Sequence, residues 1–360
     1  MKRFVSLSSS IAAIALLTAA IAPAQSIFPL FPSTVSTVPS NGDVNPYGVV
    51  IVPKNIEPGR GINAGDILVS NFNNSQNLQG TGTTIIRVTA SGSVTTFYTS
   101  SHPRVGLTAA LGVLTNGWVL IGNLTIADGT PATIGPGTIS VLDSFGNFLG
   151  TIGTVPSTVD GPWSMAVDDL GSAGTGTAHV FVSNVLSGTI SRFDVSYTPG
   201  NLSATGTTLA TGFNHRLDPA ALCLGPSGLA YDAVHNMLLV ASSFDNAVYQ
   251  IPNAATATSP QTASLLFSDF THLQGPLDIG FLPNGHLLVA NSDGSNVDPN
   301  QPSELVEYTA AGEFVGQMPI DPQNGGAFGL AIKNIGWGTF QLAAVDDNAV
   351  TLRIWTSVVQ

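Results

Sequence analysis

Six glycine-rich corners recur at intervals of about 50–65 residues along the 360-residue chain, and each leads into short apolar strands rich in β-branched residues. This pattern predicts an all-β fold, a six-bladed β-propeller of four-stranded antiparallel blades, as a single domain over residues 25–360. The corners are Asn45-Pro46-Tyr47-Gly48, Thr108-Ala109-Ala110-Leu111-Gly112, Gly161-Pro162-Trp163-Ser164, Gly225-Pro226-Ser227-Gly228, Gly275-Pro276-Leu277-Asp278 and Gly325-Gly326-Ala327-Phe328-Gly329. The sixth repeat runs out of chain after three strands, so the ring must borrow its last strand from the other terminus.

Blade one is expected to hold strands at residues 49–52, 66–70, 84–89 and 94–98. Ala90-Ser91-Gly92 joins its last two strands and recurs as Ser144-Phe145-Gly146 and Ala310-Ala311-Gly312, where glycine permits the positive φ of a tight hairpin. Asn116-Gly117 and Asn284-Gly285 turn the first strand into the second in the same way. Blade two continues through 119–123, 138–143 and 147–152; blade three through 165–168, 179–184 and 189–195, with no clear outer strand. Blade four reads as 229–232, 237–242, 247–251 and 263–267, and blade five as 279–282, 286–291, 304–308 and 314–318. Blade six offers 330–332, 341–346 and 350–356, and residues 31–38 are expected to supply its outer strand, closing the ring and covering an exposed edge.

Lys2-Arg3, the apolar run Ile11 to Ile21 and Ala22-Pro23-Ala24 form a signal-peptide pattern over residues 1–24, whose apolar stretch is shorter than the ~20 residues of a membrane span. The expected location is therefore periplasmic or secreted, with no membrane span after signal removal. Charged residues are 9% of the chain, and without Lys2 and Arg3 there are 8 basic against 22 acidic residues. Such a surface repels phosphate backbones, so nucleic acid is excluded as a partner. Cys223 is the only cysteine; no intrachain disulfide can form, and its apolar neighbours Leu222 and Leu224 suggest a buried, inert thiol.

Ile67-Leu68-Val69-Ser70-Asn71 followed by Ile85-Ile86-Arg87-Val88 recurs as Val180-Phe181-Val182-Ser183-Asn184 with Ile190-Ser191-Arg192-Phe193, and as Leu287-Leu288-Val289-Ala290-Asn291 with Leu305-Val306-Glu307-Tyr308. These stretches resemble the NHL-repeat family of six-bladed propellers, of the exported bacterial type, over nearly the whole chain after the signal segment. Family repeats carry an acidic residue and an asparagine pair near the second-to-third strand turn, whereas Asn71, Asn123, Asn184, Ser242, Asn291 and Asp346 hold the first of those positions here. The resemblance implies either a non-catalytic binding scaffold or a metal-dependent enzyme.

Loops before first strands and between second and third strands share one face of a propeller, which sorts the candidate residues. His102, His215 and His272 belong to that face and, from three blade junctions, have the donor type for Zn²⁺ with one open position. The resemblance adds that amidating lyases among NHL-like propellers hold zinc through histidines from separate blades. His179, His235 and His286 fall at first-to-second strand turns on the opposite face. Arg104 and Arg216 can fork onto an anionic group, or Arg216 can clamp Asp218 within its own loop. The ring of Asn71, Asn123, Asn184, Ser242, Asn291 and Asp346 can present oxygens to Ca²⁺, as in lactonase-like propellers, or cap the turns that follow. Asp346 is its one carboxylate.

Asp293-Gly294-Ser295-Asn296-Val297-Asp298 alternates oxygen ligands but lacks the glutamate that closes an EF-hand loop. Tyr47 and Trp163 occupy equivalent corners, where they can stack on a sugar or apolar ligand, or pack between blades. Asn73, Asn123 and Asn201 fit the glycosylation pattern. No Gly-x-Ser-x-Gly elbow, phosphate loop or His-Glu-x-x-His motif occurs. The expected function is a binding scaffold for a protein, glycan, small-molecule or envelope ligand, engaged through Tyr47, Trp163 and the loops at 71–83, 123–137 and 291–303. The alternative is a metal-dependent lyase or hydrolase at the channel mouth.

Overall fold

The computed structural model describes residues 31–56, 61–101, 105–155, 157–172, 174–291, 303–323, 325–336 and 338–358. Residues 1–24, read above as a signal peptide, His102, Arg104 and residues 292–302, with the Asp293–Asp298 stretch, lie outside the described residues. Twenty-six strands form six four-stranded antiparallel sheets and one small hairpin.

The first strand among the described residues is β1 (Ser33–Ser36). Blade one is β2 (Val44–Ile51), β3 (Ile67–Asn73), β4 (Thr84–Val88) and β5 (Val94–Thr99); blade two is β6 (Val105–Val113), β7 (Val119–Thr125), β8 (Gly135–Leu142) and β9 (Phe148–Ile152). Blade three is β10 (Pro162–Asp169), β11 (Gly176–Asn184), β12 (Thr189–Thr198) and β13 (Asn201–Ala210), after which β14 (Arg216–Asp218) and β15 (Leu222–Leu224) form a separate hairpin. Blade four is β16 (Pro226–Asp232), β17 (Met237–Ser242), β18 (Ala247–Pro252) and β19 (Ser264–Ser268). Blade five is β20 (Pro276–Phe281), β21 (Leu287–Asn291), β22 (Ser303–Tyr308) and β23 (Phe314–Asp321). Blade six is β24 (Ala327–Gly336), β25 (Thr339–Asp346) and β26 (Thr351–Val358), completed by β1. Ser33 pairs with Ile354 and Ser36 with Thr351, so the expected closure by the N-terminal segment is present.

Two sequence expectations need correction. Blade three has a full outer strand, β13, whose Thr-, Ser- and Gly-rich sequence alternates between exposed and half-buried positions and therefore lacks an apolar signature. His179 lies within β11, opposite Asp168 and Asp194, and not in a turn.

The second and third strands read as continuous apolar runs because both faces of each blade are covered. In β3, Ile67 and Val69 pack toward blade six while Leu68 packs toward blade two. In β17, Leu238 and Val240 face blade three, and Leu239 and Ala241 face blade five. One such cluster fills each of the six junctions. Period-two alternation thus divides each strand between two neighbours instead of between core and solvent.

Nearer the axis, polar groups bond one blade to the next. Ser70 Oγ donates to Thr108 O at 2.8 Å, Thr108 Oγ1 to Pro162 O at 2.7 Å, Ser183 Oγ to Ser227 O at 2.7 Å and Ser227 Oγ to Pro276 O at 2.7 Å. At the junction of blades five and six, Leu330 N donates to Asp278 Oδ2 at 2.9 Å. The corner glycines permit this close approach. A Cβ on Gly329 would lie 1.8 Å from Tyr47 O, and one on Gly228 would lie 2.4 Å from Asp278 Cα.

Candidate functional site at the channel mouth

The first strands β2, β6, β10, β16, β20 and β24 surround the axis and create two openings of different character. One is an apolar funnel of about 530 Å³ lined by residues such as Val50, Val113, Val167, Phe281 and Ile332. At the other end, where the corners and the second-to-third strand turns meet, the channel is closed by aromatic rings.

Tyr47 is the hub of that closure. Its ring centroid lies 4.8 Å from Phe328, 5.2 Å from Phe72 and 5.6 Å from Trp163, and Phe72 meets Trp163 at 5.5 Å. Each ring comes from a repeated place: Tyr47, Trp163 and Phe328 follow Pro46, Pro162 and Ala327 in β2, β10 and β24, and Phe72 is the second-last residue of β3. Pro46, Pro162 and Ala327 pair with Asn71, Asn184 and Asp346, and a bulge follows each pairing, which swings the next side chain to the axis. Phe72 and Phe328 escaped the sequence reading. Aligning the corners on the residue before each ring would have found Phe328.

The β14–β15 hairpin lies against this cluster through Leu222 and Cys223. Arg216 Nη2 donates to Asp218 Oδ2 at 3.0 Å and sits 5.6 Å from the Phe244 ring centroid. Asp218 Oδ1 accepts the backbone N–H of Ala220 and of Ala221, holding the turn, and Leu222 takes a φ of +62°. Burial opposes ionisation of Asp218, but these N–H groups and the Arg216 charge outweigh it and hold the carboxyl below its usual range. Gln79 Nε2 donates to Ala220 O at 2.9 Å, fastening the hairpin to blade one.

Between hairpin and blades one and six lies a pocket of about 280 Å³, bounded by the aromatic rings, Leu277, Ala221 and a polar rim that includes Asn45, Asn73, Asn77, Gln79, Asp347 and Asn348. This size suits one sugar ring or one side chain. Asn73 is 2% exposed; its Nδ2 donates to Asn77 Oδ1 at 2.7 Å, while its Oδ1 has no hydrogen-bond partner. Asn45 Oδ1 is likewise buried without a partner. Burial, and then the neighbouring Asp346 carboxylate, push the Asp347 carboxyl up to about 7. Deeper along the axis, burial also pushes the Asp278 carboxyl up to about 7 against the two backbone N–H bonds it accepts.

The asparagine ring is built into the blades. Asn71 Nδ2 donates to Thr37 O and Thr84 Oγ1. Asn123 bonds Thr138 and Ser140, and Asn184 accepts Asp160 N while donating to Thr189 and Ser191. Ser242 bonds Asp245, and Asn291 bonds Gln274 N, His272 O and Glu304. Asp346 is buried against Arg353, which donates Nη2 to its Oδ2. These donors do not fit Ca²⁺: the one carboxylate is held by an arginine, and aromatic rings fill the axis.

The histidines are kept by separate partners. His215 Nδ1 lies 3.1 Å from Phe213 O, whereas His272 Nδ1 lies 2.7 Å from Asp269 Oδ2 and its ring stacks on Phe314 at 3.8 Å. Among the described residues no three His, Cys, Asp or Glu side chains gather as metal ligands. His179, His235 and His286 each face a carboxylate, Asp168, Asp232 and Glu307 respectively.

No protein-family model and no curated protein matches the sequence. Solved structures do match in fold. A gluconolactonase from Xanthomonas campestris aligns with a TM-score of 0.54 at 10% identity, covering 91% of this chain and 90% of its own. A luciferin-regenerating enzyme aligns at 0.50 and 11% identity over 91% and 95%, and a chain of a nidogen/laminin complex at 0.50 and 12% identity over 80% and 84%. This chain is a six-bladed β-propeller, and its structural neighbours include enzymes and binding proteins alike.

Proposed function

We propose that this chain is an exported, NHL-like propeller that acts without catalysis, holding a protein, glycan or small-molecule ligand at the channel mouth. The observation that carries this reading is the makeup of the mouth pocket: the clustered rings of Tyr47, Phe72, Trp163 and Phe328 beside an amide-rich rim, groups whose chemistry is aromatic contact and hydrogen bonding. Supporting it, Asn184 is bonded through both its amide oxygen and nitrogen, Asn71 through its nitrogen, Asp346 to Arg353 and His272 to Asp269. Placement in the periplasm or outside the cell rests on the Lys2-Arg3, Ile11–Ile21 and Ala22-Pro23-Ala24 pattern.

The test pairs a glycan array with retention of solubilised cell-envelope components on immobilised protein. Changing the rim through Gln79→Ala with Asn348→Ala is expected to weaken retention at least about tenfold while leaving the melting temperature within a few degrees. Retention indifferent to the rim overturns the reading. So does stoichiometric zinc or calcium in protein purified without chelator, together with a melting temperature that falls when chelator is added.

A further inference from the structure

The mouth pocket leaves buried acceptor oxygens open. Asn45 Oδ1 and Asn73 Oδ1 are buried acceptors with no partner, and Asp347 has no side-chain hydrogen bond among the described residues. An unsatisfied buried acceptor is costly to keep, so a ligand that brings donors gains what the folded chain forgoes. Beside these acceptors stand the rings of Tyr47, Phe72, Trp163 and Phe328, whose faces carry negative charge density. No lysine or arginine lines the pocket among the described residues. The whole chain carries a formal charge of −12, which attracts cations over distance.

Three amide N–H groups here are in use, Asn73 Nδ2 on Asn77, Gln79 Nε2 on Ala220 O and Asn348 Nδ2 on Asp321 and Gln323, whereas Asn45 Nδ2 and Asn77 Nδ2 make no hydrogen bond among the described residues. What the open oxygens complement is a group that donates several N–H bonds and accepts none, carried on an apolar stem that can lie along the rings. A protonated amine has that form.

We propose that the mouth pocket recognises a small amine, its ammonium group held by Asn45, Asn73 and Asp347 and its apolar stem lying on the aromatic floor. The assignment rests on reading the mouth as the binding site and adds the chemical class of the ligand. A stem with one ring fits the pocket of about 280 Å³.

The experiment titrates purified full chain with phenethylamine and with its isostere 2-phenylethanol, followed by calorimetry and protein-observed NMR. Asn45→Gly removes one acceptor at a position whose φ of +56° glycine accepts freely, and Asp347→Asn removes the charge with little change of shape. Phenethylamine is expected to bind at least about tenfold more tightly than the alcohol. Each variant should lower amine affinity several-fold without changing that of the alcohol, and neither should lower the melting temperature. Equal affinities for the two probes, or amine binding untouched by both variants, overturn the amine assignment. So does displacement of phenethylamine by stoichiometric calcium, which would make the oxygens a metal site. The broader reading of the mouth fails separately, when rim variants leave the retained glycan or envelope component unaffected.

Discussion

The two ends of the channel are made by the same six strands, yet one is an apolar funnel and the other an aromatic plug with an amide rim. The funnel takes its residues from within β2, β6, β10, β16, β20 and β24, where each blade contributes small and branched side chains in much the same way. The mouth draws on the bulged corners, where Tyr47, Trp163, Leu277 and Phe328 replace one another, and on the β14–β15 hairpin, which has no counterpart in the other blades among the described residues. Individuality in this ring is concentrated where regular pairing breaks. Loops and corners held by a rigid scaffold are where a repeat fold can acquire recognition without losing closure.

The sharpest way to break this contrast is to truncate one large side chain at each end. Trp163 is 3% exposed inside the plug, and Trp163→Ala is expected to cost about 3–5 kcal/mol. Ile332, half-buried in the funnel, should cost about 1–2 kcal/mol when cut to alanine. Urea unfolding measures both, and equal losses would dissolve the distinction. Next in size is Gly329→Ala. Its new methyl would lie 1.8 Å from Tyr47 O, so blades one and six must part slightly, at about 2–3 kcal/mol in the same assay.

What the sequence made legible follows the same division. Blade number, strand order and closure by the N-terminal segment could be read because they depend on period-two apolar runs and glycine turns, which are local signals. Tyr47 and Trp163 were visible as equivalent corners, and they meet at 5.6 Å. Asp347 and Asp278 were not singled out, since their character comes from burial against residues distant in sequence. Strand β13 was hidden by its exposed Thr and Ser, and the hairpin by its three-residue strands. The asparagine ring shows the converse. Its spacing was clear, but the partners that engage each amide, such as Thr37 for Asn71, come from elsewhere in the chain.

The carboxyls near the axis sharpen the comparison through pH. Asp278 and Asp347 ionise near 4 in an unfolded chain but only at about 7 in the folded one. Between those values the unfolded chain releases protons that the folded chain keeps, so stability falls as pH rises from about 4 to 7. Both groups are partly open to the channel, which moderates the effect to on the order of 2 kcal/mol together. The melting temperature should therefore be several degrees higher at pH 5 than at pH 8, and Asp347→Asn should flatten about half of the slope. A profile that rises steadily from pH 5 to pH 8 would contradict these assignments.

The smallest expected effect concerns the hairpin cover. The Arg216 side chain is 55% exposed, so its bond to Asp218 and its position over Phe244 should together contribute less than about 1 kcal/mol. Asp218 does more, because its carboxylate also holds the turn through Ala220 and Ala221. Arg216→Ala is thus expected to leave global unfolding almost unchanged, whereas Asp218→Ala should speed hydrogen exchange in residues 216–224 without a matching change in the blades. If Arg216→Ala loosens the hairpin as much as Asp218→Ala does, the cover is held by charge pairing, and the backbone turn is secondary.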